Sequence, residues 1–189
     1  MTETPNPNIV DTDTLTGEMH PIRRCVLAIG SNLGERLNNL QGAVNSLADT
    51  PEVWVTAVSP VYETAPVDAP EGSKDFLNAI VMADTTLSAR TLLERALAIE
   101  DAYGRERTEE RGTPRTLDVD LIVVGDRRAN DADLLLPHPK AHERAFVLAP
   151  WLDVEPDAEL LDHGSVADLL EKASDQAIKV RDDLSLSLQ

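Results

Sequence analysis

From Cys25 onward the chain switches repeatedly between alternating apolar positions and apolar positions at three- and four-residue steps. Cys25-Val26-Leu27-Ala28-Ile29-Gly30 is a short apolar run that predicts a strand. It is closed by Gly30-Ser31-Asn32-Leu33-Gly34, residues that tolerate positive φ or bond locally and so predict a turn. Leu37, Leu40, Val44 and Leu47 then form one helical stripe that Pro51 ends. Residues 54–58 and 61–62 are β-branched and aromatic, and Pro60 marks an edge or a bulge there. After a loop at 66–74, residues 76–86 read as another strand; with no helix between, these two strands pair antiparallel. Ser88 caps a second helix carrying Leu92, Ala96, Ile99 and Tyr103 on one face, with Gly104 as its stop. Residues 117–124 form the next strand, ending at Gly125-Asp126. The order βαββαβ predicts an α+β, ferredoxin-like split βαβ sandwich. Beyond it, 134–139 is extended and stiffened by Pro137 and Pro139, and 144–152 predicts a short helix against the sheet.

The flanks have a different character. Residues 1–22 mix Pro, Asn, Thr and Asp without periodicity and read as a disordered leader. Residues 23–162 make one domain, and 163–189 read as an acidic tail with one weak amphipathic stretch at 166–173. With 189 residues, 42% of them hydrophobic, the chain can enclose one sizeable core. It has neither an eighteen-residue apolar run nor a basic n-region followed by an apolar h-region, which argues against a membrane span and a signal peptide. A single cysteine, Cys25, rules out an intrachain disulfide and reads as a small buried hydrophobe. A soluble, cytoplasmic protein is expected. The net charge of −17 argues against nucleic acid as a partner, since binding a phosphate backbone needs a basic surface. Much of that acidity lies at the ends, 153–189 alone holding ten acids against three bases.

Against this background Arg105, Arg107, Arg111 and Arg115 place four guanidinium groups within eleven residues. Just after them, period two puts Asp118 and Asp120 on one face of the strand, with Leu117, Val119, Leu121 and Val123 on the other. The acidic face continues with Ile122 and Val124, so it is acidic at one end and buried further on. Two carboxylates roughly 7 Å apart repel unless a cation lies between them, and hard oxygen ligands favour magnesium, which also takes substrate phosphates as ligands. Arginine forks match phosphate oxygens, so the two clusters together point to polyphosphate transfer. The blander reading is a solvated strand end beside a loop whose arginines pair with Glu106, Glu109 and Glu110. Glu100 sits at the edge of the second helix's apolar face, where it either meets a ligand or is solvated. His138 and His142 are four apart, but the prolines around His138 oppose a zinc-binding helix.

These residues resemble the 6-hydroxymethyl-7,8-dihydropterin pyrophosphokinases of folate biosynthesis. The resemblance is carried by Ala28-Ile29-Gly30-Ser31-Asn32-Leu33-Gly34, Val61-Tyr62-Glu63-Thr64, Phe76-Leu77-Asn78-Ala79 and Gly104-Arg105 with Arg107. It continues through Pro114-Arg115-Thr116-Leu117-Asp118-Val119-Asp120, Pro137-His138-Pro139 and Glu143-Arg144-Ala145-Phe146-Val147-Leu148. It implies a monomer that binds ATP with two magnesium ions and then the reduced pterin, whose hydroxymethyl oxygen attacks the β-phosphorus and releases AMP. Asp118 and Asp120 would hold the metals, Arg105 and Arg115 would stabilise the moving phosphates, and Glu100, Arg107, Arg111, His138 and Arg144 would contact the nucleotide. Thr64, Val67, Phe76, Asn78 and Phe146 would receive the pterin; residue type alone would not have selected Thr64, Asn78 or Phe146. The resemblance also implies lids at 64–75 and 105–115, and leaves room for association with neighbouring folate-pathway enzymes. Many members carry Trp before the Gly-Pro-Arg of the second loop, where this chain has Gly112-Thr113. An ordinary kinase or nucleotidyltransferase built on the aspartate pair, releasing ADP or pyrophosphate, is the nearest alternative. A non-catalytic ligand-sensing module is the other.

Overall fold

Along the chain run β1 (Arg23–Ser31), α1 (Arg36–Ala48), β2 (Val53–Val58), β3 (Tyr62–Thr64), β4 (Phe76–Thr85), α2 (Ala89–Ala102) and β5 (Asp118–Val124). The short β6 (Ala129–Asn130) and β7 (Leu135–Leu136) follow, then α3 (Ala145–Val154), β8 (Glu159–Leu160), β9 (Gly164–Ser165), α4 (Val166–Lys172) and β10 (Ile178–Val180). This computed structural model describes residues 20–66, 71–104 and 116–188. The expected leader at 1–22 lies almost wholly outside the described residues.

The main sheet has six strands in the order β10-β3-β4-β1-β5, with β2 also paired to β4, and every pairing is antiparallel. β2 and β3 share β4 as partner; the bulge in this stretch falls earlier than proline suggested, between Val55 and Ala57, and Ser59-Pro60 lies in the break between the two strands. There the Ser59 hydroxyl accepts the Ile80 N–H at 2.8 Å in place of a ladder carbonyl.

Alternation along β1 and β4 sends side chains into two cores. Cys25, Leu27, Ile29, Leu77, Ala79, Val81 and Ala83 pack with Leu40, Val44 and Leu47 of α1 and Leu92 and Ala96 of α2. Val26, Ile80, Met82 and Ile122 face the other way, onto Leu148 and Trp151 of α3 and Val166 and Leu169 of α4. The α1 stripe is the one its spacing predicts, with Leu37 packed at its margin. Ser88 caps α2 by accepting the Thr91 N–H at 3.0 Å, and Gly104 follows its end at φ +75, a conformation costly to residues with a Cβ. Cys25 is fully buried and its Sγ donates to the Ala83 carbonyl; burial, chiefly, and then the nearby Asp84 push its thiol up to about 12.

Two expectations need correction. Val26 of β1 faces Val123 and Leu27 faces Leu121, so Ile122 is an extra residue on β5. That bulge reverses the alternation: Val124 joins the core with Leu117, Val119 and Leu121, while Val123 packs in the other with Ile122. Second, 163–188 is built into the fold. The helix expected at 166–173 is α4, and β10 adds a strand to the sheet edge beside β3. Beyond it Leu184 and Leu186 pack against the same core as α1. Among the described residues no helix is long and apolar enough to cross a membrane.

Candidate functional site

The face of the sheet covered by α3 and α4 is not covered along its whole length. At the end formed by the start of β5, the end of β1 and the start of β4, a cavity of about 600 Å³ opens over the strands. Register explains its floor. Gly30 stands opposite Asp118 on one side and opposite Asn78 on the other, and Ala28 stands opposite Asp120 and Ile80. Because neighbouring strands are spaced about 4.8 Å apart, the β5 carboxylates and the β4 amide face each other across roughly 10 Å of floor. Small residues on β1 keep that floor low: a Cβ on Gly30 would lie 3.0 Å from Asn78 Oδ1 and 3.6 Å from Phe76 Cδ1.

Asp118 and Asp120 are half-buried, both lining the cavity from β5. Their spacing suits a hard divalent ion that keeps oxygen ligands from water and substrate. Among the described residues there is no group of three or more His, Cys, Asp or Glu that could hold a metal ion; an ion held by this pair would take further oxygens from water or substrate. The opposite wall is polar and aromatic. Asn78 and Thr64, each 7% exposed, are joined by Asn78 Nδ2 donating to Thr64 Oγ1 at 2.8 Å. Phe76 and Phe146 supply rings, and the Arg144 guanidinium lies over the Phe146 ring, 5.6 Å from its centroid.

A second cavity of about 290 Å³ lies against the edge of β5, lined by Leu93, Leu97, Glu100, Asp120 and His138 among others. Glu100 is only 1% exposed, and its Oε2 accepts the N–H of Val119, a ladder donor on the edge strand. It is therefore buried rather than solvated. His138 is anchored by its own N–H to the Ile122 carbonyl at 2.8 Å, and its Nδ1 accepts the Lys140 N–H at 3.2 Å. Burial first, then the charges of Arg144 and Lys140, lower its pKa to about 4. The neutral ring thus carries its proton on Nε2 and offers a donor. Asp120 lines both cavities, which places a carboxylate at their junction.

Seven expected site residues, Thr64, Phe76, Asn78, Asp118, Asp120, Arg144 and Phe146, therefore share one cavity, and Glu100 and His138 share the next with Asp120. Val67, Arg105, Arg107, Arg111 and Arg115 lie outside the described residues, as do 67–70 of the first expected lid and the whole of the second, 105–115. Lys140, Gln176, Ala177 and Ile178 also line the larger cavity and were not foreseen. Nothing in the spacing of Gln176, Ala177 and Ile178 links them to Thr64, more than a hundred positions earlier. Lys140 alone offered a signal, a base within two residues of His138.

Comparison with known proteins identifies the family. Residues 26–156 match the profile of the 7,8-dihydro-6-hydroxymethylpterin-pyrophosphokinases (HPPK). The 2-amino-4-hydroxy-6-hydroxymethyldihydropteridine pyrophosphokinase of Mycobacterium leprae is 48% identical over 148 residues, covering 72% of this chain and 74% of that one. The protein of the same description from Mycobacterium tuberculosis is 44% identical over 147 residues, covering 72% and 75%. That from Methylorubrum extorquens is 44% identical over 137 residues, covering 71% and 84%. Among solved structures, wild-type Plasmodium falciparum HPPK-DHPS with pterin and p-hydroxybenzoate superposes with a TM-score of 0.64 at 13% identity, over 82% of this chain. This chain spans 44% of that longer one, and the likeness is one of fold.

Proposed function

Because the chain belongs to the 7,8-dihydro-6-hydroxymethylpterin-pyrophosphokinase family, we infer that it transfers diphosphate from ATP to 6-hydroxymethyl-7,8-dihydropterin, a step of folate biosynthesis. The observation that carries this reading is the pair of adjoining cavities with Asp120 at their junction. One is walled by an amide, a hydroxyl and two phenyl rings, which suits a flat heterocycle bearing donors and acceptors. The other offers a neutral histidine donor beside apolar Leu93 and Leu97, which suits a nucleotide.

In the reaction the pterin's hydroxymethyl oxygen bonds to the β-phosphorus of ATP and loses its proton. The bond from that phosphorus to the α-phosphate oxygen breaks, and AMP departs with the electron pair. Asn78 and Thr64 hold the heterocycle's polar edge, while Phe76 and Phe146 fix its plane. Asp118 and Asp120 would hold magnesium, two ions in this reading, which when bound would neutralise charge on the triphosphate. Glu100, His138 and Arg144 are assigned to the nucleotide, with Arg107 and Arg111. Arg105 and Arg115 would meet charge as it builds on the transferring group, and Val67 would line the pterin's rim.

The sheet order, with β5 and the β2/β3 pair outside a β1–β4 centre, supports the ferredoxin-like βαββαβ description. The catalytic unit is assigned to 23–162 together with the 163–188 segment that packs on it and lines the cavity, as a cytoplasmic monomer free to associate with neighbouring folate-pathway enzymes. The test is product identity. Purified protein with ATP, magnesium and the pterin should release AMP only when the pterin is present; ADP or pyrophosphate instead would assign the site to an ordinary kinase or a nucleotidyltransferase.

A further inference from the structure

α3 begins where the site needs it most and begins badly. Arg144 occupies its N-cap position, and an arginine has no acceptor with which to cap; no side-chain bond from it closes the turn. The first helical N–H, that of Ala145, belongs to a residue only 1% exposed, so water does not readily replace a partner there. Gln176 supplies one from thirty-one residues away. Its Oε1 accepts the Ala145 N–H at 3.0 Å and its Nε2 donates to the Glu143 carbonyl at 2.6 Å. One carboxamide thus brackets Arg144 on both sides.

The segment carrying Gln176 is firmly tied. Ile178 stands opposite Thr64 in the β10–β3 register. The Arg181 N–H donates to the Val61 carbonyl at 2.8 Å, and its guanidinium reaches Glu63, which Arg36 also holds at 2.8 Å. Farther on, Gln41 and Ser187 exchange two hydrogen bonds of 2.9 Å. Gln176, Ala177 and Ile178 themselves line the larger cavity. The segment itself lies beyond residue 156, where the match to the family profile stops.

We propose that Gln176 is a positioning residue for pterin binding: by clamping the first turn of α3 it sets Phe146 and Arg144 over the cavity, and the strand it leads into completes the cavity wall. The proposal rests on the pyrophosphokinase reading, since it assigns Phe146 to the pterin. Without the clamp the first turn of α3 loosens and the stacking surface is no longer held in place. A stacked aromatic contact is worth about three- to tenfold in affinity.

The test uses steady-state kinetics of the full chain. Gln176→Ala should raise the KM for the pterin by about three- to tenfold with kcat within about twofold of wild type. Gln176→Glu, which keeps the acceptor for the Ala145 N–H, should fall between the two. A structural role alone would lower kcat with the folded fraction and leave the pterin KM unmoved, and that result overturns the proposal. If the variants do not fold, hydrogen exchange on the wild type decides: pterin with a nonhydrolysable ATP analogue should slow exchange in both 145–148 and 176–180. Unchanged exchange at 176–180 overturns the proposal. Absence of AMP from folded wild-type protein would instead mark failure of the underlying reading.

Discussion

Asn78 Nδ2 donates to Thr64 Oγ1 across the β3–β4 pair at 2.8 Å, and this bond turns the Asn78 carboxamide so that its oxygen lies toward Gly30. A rotatable amide is thereby held in one orientation before any ligand arrives. Asn78→Ala should raise the KM for the pterin by about five- to a hundred-and-fiftyfold, the cost of roughly 1–3 kcal/mol for leaving polar groups of a bound ligand unmatched. Thr64→Val, which removes the acceptor but keeps the shape, should produce a smaller rise. Initial-rate measurements at saturating ATP check both, and equal KM values for Asn78→Ala and wild type would remove Asn78 from the site.

Gly30 tests the same amide from beneath. A methyl group there would crowd Asn78 Oδ1 and touch Phe76. Gly30→Ala should fold, since β1 is otherwise a regular strand, but bind the pterin several-fold more weakly. Titration with the nucleotide analogue present measures this, and an unchanged Kd would show that the floor of the cavity is not where the pterin lies.

The sequence made the first six elements legible because each has a period and a punctuation mark: the Leu37, Leu40, Val44, Leu47 stripe before Pro51, or Ser88 and Gly104 around α2. The Asp118 and Asp120 pair was legible for the same reason, two acids on a strand whose other positions are apolar. The Ile122 bulge was not, because an extra residue leaves an apolar run apolar. The partnership of Gln176 with Ala145 was equally hidden. It depends on a chain reversal through α3 and α4, and a glutamine in an acidic stretch carries no local mark of it.

A second close approach bears on stability rather than binding. In α1, Gly42 lies directly under the Tyr103 ring at the end of α2, and a Cβ there would overlap the phenol. Gly42→Ala should lower unfolding stability by about 1–3 kcal/mol through overpacking, despite alanine's better helix propensity. Urea unfolding checks this; a stabilised variant would mean that Tyr103 moves aside without cost.

His138 gives the pH dependence a sign. Its pKa in the folded protein is about 4, below the ordinary value of 6.5, so between those values the unfolded chain binds the extra proton. Its neutrality costs no stability above pH 6.5, and stability is lost as the pH falls from 6.5 toward 4. His138→Gln should therefore show a shallower loss over that window than wild type, measured as denaturation midpoints at several pH values. Identical slopes would place the imidazole in water.

The central claim is that Asp118 and Asp120 hold the metal for transfer of diphosphate as a unit. The most direct measurement follows AMP formation from ATP with pterin at varied magnesium, in wild type, Asp118→Ala and Asp120→Ala. Pterin-dependent AMP should fall by about a hundredfold or more in each variant, from lost metal-assisted charge neutralisation, while both variants remain folded. AMP formation undiminished in either folded variant would contradict the account.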